Sequence, residues 1–234
     1  MTKKDLGVLA GTVLFFAPFV LFPTVYQQYL ALTHGYPFLT AGLKFALLAT
    51  FGEVLGLRIR TGGFHTKGFG ILPKAMVWFF LGICIKAAFV IFVYGAPMLL
   101  TKLGIHEPWQ ELLSQSIFKT RSPWHLLAAF TISVTMNTFF APVFMTLHKM
   151  TDIHIEQGGG SLKGFFTPFH PGTIMQKINW DIQWNFVFKK TIPFFWYPAH
   201  TLTFMLPPEH RILFAALLGV VLGVILSIAN LKEK

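Results

Sequence analysis

Residues 71–94 read ILPKAMVWFFLGICIKAAFVIFVY, an apolar run broken by only two charges, Lys74 near its start and Lys86 near its middle. A helix needs about 20 mostly apolar residues to cross the hydrocarbon core of a bilayer, so this run reads as a membrane span. Working outward, similar runs extend from Leu6 to Val25, Leu39 to Leu57, Trp124 to Leu147 and Ile212 to Ala229. A shorter one, Thr191 to Leu206, contains Pro193 and Pro198 and reads as a kinked span or a re-entrant segment. Such breaks persist at depth only where protein or water covers the freed backbone groups. The pattern predicts an all-α, polytopic helical bundle of five to six spans, one of them short and Pro-kinked. Residues 1–234 form a single integral membrane domain, with an extra N-terminal helix over 1–26, a body over 27–234 and a long inner loop over 148–190.

The composition excludes the main alternatives. Of 234 residues, 54% are hydrophobic and 12% charged, whereas a soluble domain carries about 25% charged residues. The 27 phenylalanines and 6 tryptophans exclude a disordered chain. Cys84 is the one cysteine, so neither a disulfide framework nor a thiolate metal cluster can form.

The net charge of +10 follows the topology. With six spans and a cytoplasmic N-terminus, the inner side receives Lys3, Lys4, Arg58, Arg60, Lys67, Lys74, Lys149, Lys163, Lys177, Lys189, Lys190, Lys232 and Lys234. The outer side receives Lys102, Lys119, Arg121 and Arg211, and only Lys44 and Lys86 lie within spans. That is the positive-inside bias. Both termini are expected in the cytoplasm, in a bacterial inner membrane or, alternatively, an organelle membrane. The basic side faces anionic lipid, and nucleic acid is not an expected partner. The first run is too long for a signal core and ends in Pro23-Thr24-Val25-Tyr26, so a retained helix is expected.

Two connections are long. In the outer one, Ala96 to Pro123, the stretch Trp109 to Leu113 reads as an amphipathic helix on the membrane face. In the inner one, Gln157 to Ser161 reads as a flexible hinge, and the four-residue spacing of Ile174, Ile178, Ile182 and Phe186 predicts a helix leading into the short span. Small residues recur at helical spacing: Ala215, Gly219, Gly223 and Ser227 in the last span, Ala129, Ser133, Asn137 and Ala141 in the fourth, and the pairs Gly7/Gly11 and Gly52/Gly56. Such strips let helices approach closely in lipid. They hold the chain's own bundle together or, on the last helix, form a face for a second copy or a partner membrane protein.

Ionisable groups within spans cost about 2.5–3.5 kcal/mol on insertion scales and so demand a reason. Lys86, Lys44, Asn137 and His200 are the candidate lining of a polar interior suited to anions. The other reading has Lys44 snorkelling, Asn137 bonding a neighbouring helix and His200 capping broken backbone. Glu53 and Arg60, seven residues apart on one helical face, are read as an ion pair at the inner mouth. His148, Asp152, His154, Glu156 and His170 match no zinc spacing and are read as solvated loop residues. Gln157 to Gly164 lacks a phosphate-loop ending, Ser161 lacks a nucleophile elbow, and Cys84 is read as a packing residue. No cofactor, metal or catalytic residue is expected.

The order of particular residues resembles the Mpv-seventeen group of small peroxisomal and mitochondrial inner-membrane proteins, which has bacterial members. Tyr29-Leu30, Pro37, Thr40 and Gly52-Glu53 are similar to that family's Tyr-x-x-x-Leu, His-Pro-x-x-Thr and Gly-Asp series, with glutamate in place of aspartate. Ala141-Pro142 matches an Ala-Pro that ends the fourth span. Trp196, Pro198, His200, Phe204, Pro207, Arg211 and Leu226-Ser227 resemble the C-terminal signature Trp-Pro-x-x-Gln-x-x-Asn-Phe, Val-Pro-x-x-x-Arg and Leu-Ser. His200 stands for the glutamine, Thr203 for the asparagine, and one residue is missing between Trp196 and Arg211. The Gly-Pro and Trp-Tyr elements of the third span are absent. The resemblance covers the chain from about Tyr26 onward and implies a prokaryotic or divergent member of a channel-like family without settled substrate.

Three functions follow in order. The first is a channel-like pathway for small anionic metabolites, lined by Lys86, Lys44, Asn137 and His200. The second is a non-transporting accessory or scaffold protein, and the third an intramembrane or interfacial enzyme using the inner-loop histidines and acids.

Overall fold

The computed structural model describes residues 2–117 and 122–232, with side chains through Ile228. Of the basic residues that set the predicted layout, Lys119, Arg121, Lys234 and the Lys232 side chain lie outside the described residues.

Proline punctuates the chain. Its fixed φ and missing N–H cost nothing in a first helical turn, and Pro residues open α2 (Pro23–Gly35), α3 (Pro37–Thr61), α6 (Pro123–Phe139), α7 (Ala141–Gln157), α9 (Pro171–Met175) and α10 (Tyr197–Phe204). The remaining helices are α1 (Lys3–Leu21), α4 (Ile71–Lys102), α5 (Trp109–Ser114), α8 (Leu162–Phe165) and α11 (Pro208–Lys232), and a π-helix runs over Ile182–Trp196. No strand occurs among the described residues. The molecule is an all-α polytopic bundle. Helices α1, α3, α4 and α11 are each long and apolar enough to cross a membrane. The pair α6–α7 makes a fifth span if its 47° bend is counted as one broken helix. That bend falls where Pro142, in the first turn of α7, can donate no hydrogen bond back to α6.

Side-chain contacts fix the ends. Arg58 pairs with Asp5 at 2.7 Å, and Arg60 donates to Ser227 at 2.9 Å. The start of α1, the finish of α3 and the finish of α11 therefore share one end. At the opposite end the Ile117 amide donates to the Met205 carbonyl at 3.0 Å, and the Tyr26 hydroxyl lies 3.5 Å from His210 Nε2. Between these ends the described chain passes six times, the π-helix with α10 making the fifth passage.

Five passages form a ring. Helix α11 packs beside α3, α3 beside α4, α4 beside α6, α6 beside α10, and α10 returns to α11. Two seams of the ring depend on glycine. A Cβ on Gly82 of α4 would lie 2.8 Å from the Ala41 carbonyl oxygen of α3, and one on Gly52 of α3 would lie 2.9 Å from Val220 Cα of α11. Beneath the seams Ile132, Phe204, Ala128 and Ala216 are fully buried. Helix α1 lies outside the ring and buries none of its residues. Outward faces carry Leu14, Val20, Phe80, Ile91 and Val221, an apolar surface suited to lipid and not to water.

Several local expectations need correction. The apolar side of the Trp109–Leu113 segment faces the protein and not lipid: Trp109 and Leu113 are buried in the core, and the indole donates to Thr101 at 2.9 Å. Ile174 and Ile178 pack against Met150 and Ile153, but Ile182 and Phe186 are exposed. Helix α9 ends at Met175, and the wider π turn then breaks the four-residue register. The Gln157–Ser161 stretch is a packed turn, because a Cβ on Gly160 would meet Gly70 N at 2.7 Å and Gly68 C at 2.8 Å. Cys84 is exposed and not a packing residue. Gly7 and Gly11 meet nothing within 4 Å, so that pair holds no helix.

Candidate functional site

The ring borders a half-open cavity of about 320 Å3 that draws its wall from every passage except α1. Phe45, Ala49 and Glu53 come from α3, Ile85 and Phe89 from α4, Met136 and Asn137 from α6, and Phe144 and His148 from α7. Gln183 and Trp196 come from the π-helix, His200 from α10, and Ala215 and Gly219 from α11. A Cβ on Gly219 would meet nothing within 4 Å, because that face looks into the open space.

At mid-depth the wall is polar. His200 Nδ1 lies 2.9 Å from Asn137 Nδ2 and 3.1 Å from its Oδ1, and Asn137 Nδ2 also donates to the Ser133 carbonyl at 2.8 Å. Trp196 lies against the His200 ring at 4.9 Å between centroids, and Phe89 meets Phe204 at 4.8 Å. Trp196, His200 and Phe89 are part of the cavity wall. Two donors in the wall, Gln183 Nε2 and Trp196 Nε1, are buried without a partner among the described residues. An unmade hydrogen bond on a buried donor costs about 1–3 kcal/mol, so these groups favour an incoming acceptor.

The cavity runs towards the end that carries Asp5, Arg58 and Arg60, and a charged cluster stands there. Lys74 Nζ pairs with Glu53 Oε2 at 2.6 Å and with Asp152 Oδ1. Trp78 Nε1 donates to Glu53 Oε1 at 2.6 Å, and His148 Nε2 lies 3.3 Å from the same oxygen. Ligand atoms of Glu53, His148 and Asp152 lie within 4.8 Å of one another, a donor set that a cation could share. Lys74 already supplies a positive charge to both carboxylates.

Against this geometry the candidates divide. Asn137 and His200 line the cavity and touch each other. Lys86 is half-buried, makes no ion pair among the described residues, and is not part of the wall of this cavity. Its neighbour Ile85 and Phe89 face inward, and one residue step turns a helical side chain by about 100°. Lys44 points away from the ring and donates to Thr33 at 3.0 Å. The expected Glu53–Arg60 pair does not form, because Lys74 and His148 take the carboxylate while Arg60 bonds Ser227.

The inner-loop residues also need correction, since α7 continues helical to Gln157. His148 and Asp152 join the cluster, and His154 is buried with Nε2 at 2.9 Å from the Phe165 carbonyl oxygen. The i,i+4 spacing of His148 and Asp152 is the signal that marks them as helical neighbours. Gln183 and Trp196 carry no such signal, because the π-helix turns them by an angle that hydropathy does not reveal.

The signature-like residues hold structure. Pro37 opens α3, and Thr40 donates to the Tyr36 carbonyl at 2.9 Å. Pro198 sits in the first turn of α10. Pro207 accepts from the His210 amide at 3.0 Å. Arg211 is buried and donates to the carbonyls of Leu206, at 3.0 Å, and Leu113, so it ties α11 to α5. Gly223 faces Gly52, and Ser227 meets Arg60 and donates to the Gly223 carbonyl. Of the strip Ala215, Gly219, Gly223 and Ser227, Gly223 and Ser227 thus meet α3 inside the chain, while Gly219 faces the cavity. Compared with family models, with curated proteins and with solved structures, the chain gives no match in any of the three.

Proposed function

We propose that this integral membrane protein is a gated, channel-like pathway for small solutes that carry an anionic or hydrogen-bond-accepting group. We propose too that it is a divergent member of the Mpv-seventeen group, placed in a bacterial inner membrane with both termini cytoplasmic and with no catalytic role. The observation that carries the pathway is the central cavity, walled by every passage of the ring, with Trp196, His200 and Phe89 in its wall and Phe204 packed against Phe89. A solute enters from the Glu53–Lys74 end, and the aromatic layer is the gate. Selection rests on the unpartnered donors of Gln183 and Trp196, with Lys149 as the cation in the wall. Lys86 and Lys44 stand outside its wall.

The reading is tested with purified protein in liposomes, by uptake of a small labelled carboxylate and of its uncharged amide. Gln183→Leu and Trp196→Phe should each lower carboxylate uptake about tenfold, the size of one hydrogen bond to a charged group. Uptake no greater than that of empty liposomes would remove the pathway and leave the accessory role.

A further inference from the structure

A second cavity, of about 400 Å3, lies outside the ring, between α1, α2 and α3. Small-ligand sites run from about 300 to 1,000 Å3, so it is large enough to hold one. Its wall is apolar and aromatic, including Phe15, Phe16, Phe19, Leu43 and Leu47. One cation belongs to it. Lys44 is only 9% exposed, seven residues into α3 and so about 10 Å along the helix from its start.

The partners of that lysine are incomplete. Its ammonium donates to Thr33 Oγ1 at 3.0 Å and lies 4.6 Å from the centre of the Tyr29 ring. No carboxylate among the described residues pairs with it; the ion pairs there belong to Arg58, Lys74 and His148. The Tyr29 hydroxyl, in the same wall, is buried with the Thr33 hydroxyl beside it and no carboxylate partner among the described residues. A buried cation is held at a cost unless an anion neutralises it, and here the hydroxyl is a further donor. Leu43 and Leu47 expose their outer faces, which opens the cavity sideways towards lipid.

We infer that this cavity is a binding site for an anionic lipid, its acidic group paired with Lys44 and its acyl chain lying among Phe15, Phe16 and Phe19. The site stands apart from the central cavity and does not depend on the pathway. A fatty-acid carboxylate and a phospholipid phosphate share the required chemistry. A neutral lipid of the same chain length does not.

The test is native mass spectrometry of the delipidated full chain, with palmitate, hexadecanol, phosphatidylglycerol or phosphatidylcholine added back. Wild type should bind palmitate, phosphatidylglycerol or both at least tenfold more tightly than the uncharged or zwitterionic partner, as expected for a charge-assisted contact. Binding of palmitate alone assigns a free fatty acid, and binding of phosphatidylglycerol a membrane phospholipid. Lys44→Met should abolish the preference and Lys44→Arg keep it. If Lys44→Met does not fold, Leu47→Trp, which fills the cavity from its lipid side, should lower binding of the acid by a similar factor. Equal binding of charged and neutral lipids by wild type, no binding of either acid, or an unchanged preference in a folded Lys44→Met protein would overturn the site.

Discussion

Lys74 lies between Glu53 and Asp152 at the mouth of the cavity, and its side chain is only 9% exposed. Removing it leaves two carboxylates in a partly dry site with His148 as their one shared neighbour. Lys74→Met should therefore lower stability by about 2–3 kcal/mol, read as the unfolding midpoint in mild detergent. Adding Glu53→Gln should return part of that loss, because the cluster then keeps one carboxylate; a double variant no better than the single would contradict the pairing. Lys86 gives the opposite expectation. It stands off the cavity wall, so Lys86→Met should leave solute uptake unchanged. Its place in the apolar run was legible in the sequence, but its direction was not. The same limit explains Glu53: seven-residue spacing correctly put Arg60 on its side of the helix. It could not reveal that Lys74, on the next helix, comes closer.

At the scale of elements, hydropathy located the spans well, since crossing lipid demands long apolar runs whatever their packing. Breaks were marked by proline and were legible too, although the bend at Pro142 divided a run that composition left continuous. The π-helix was not legible, because a wider turn leaves no mark on composition. Helix contacts give a paired prediction at glycines. Gly82→Leu thrusts a side chain into α3 and should cost about 1–3 kcal/mol by overpacking. Gly219→Leu enters open space and should fold with wild-type stability. Similar losses from both would show that the α11 face does not look into a cavity.

The whole molecule combines a closed ring with an outlying helix. Small-residue strips hold the seams, the apolar outer surface faces lipid, and the cation-rich end holds both the start of α1 and the far part of α11. That the start of α1 and the far part of α11 share an end was legible from the alternation of spans and basic loops. The cavity was legible only in part: two of its polar residues, Asn137 and His200, stood out as buried polar groups, and the two unpartnered donors did not. The central claim is that solute travels through this space. The direct measurement is carboxylate uptake by liposomes carrying wild type or Gly219→Phe, whose ring fills the cavity without meeting a neighbour at Cβ. Uptake abolished in a variant that keeps wild-type helicity and monodispersity is the result expected, and undiminished uptake through the filled cavity would contradict it.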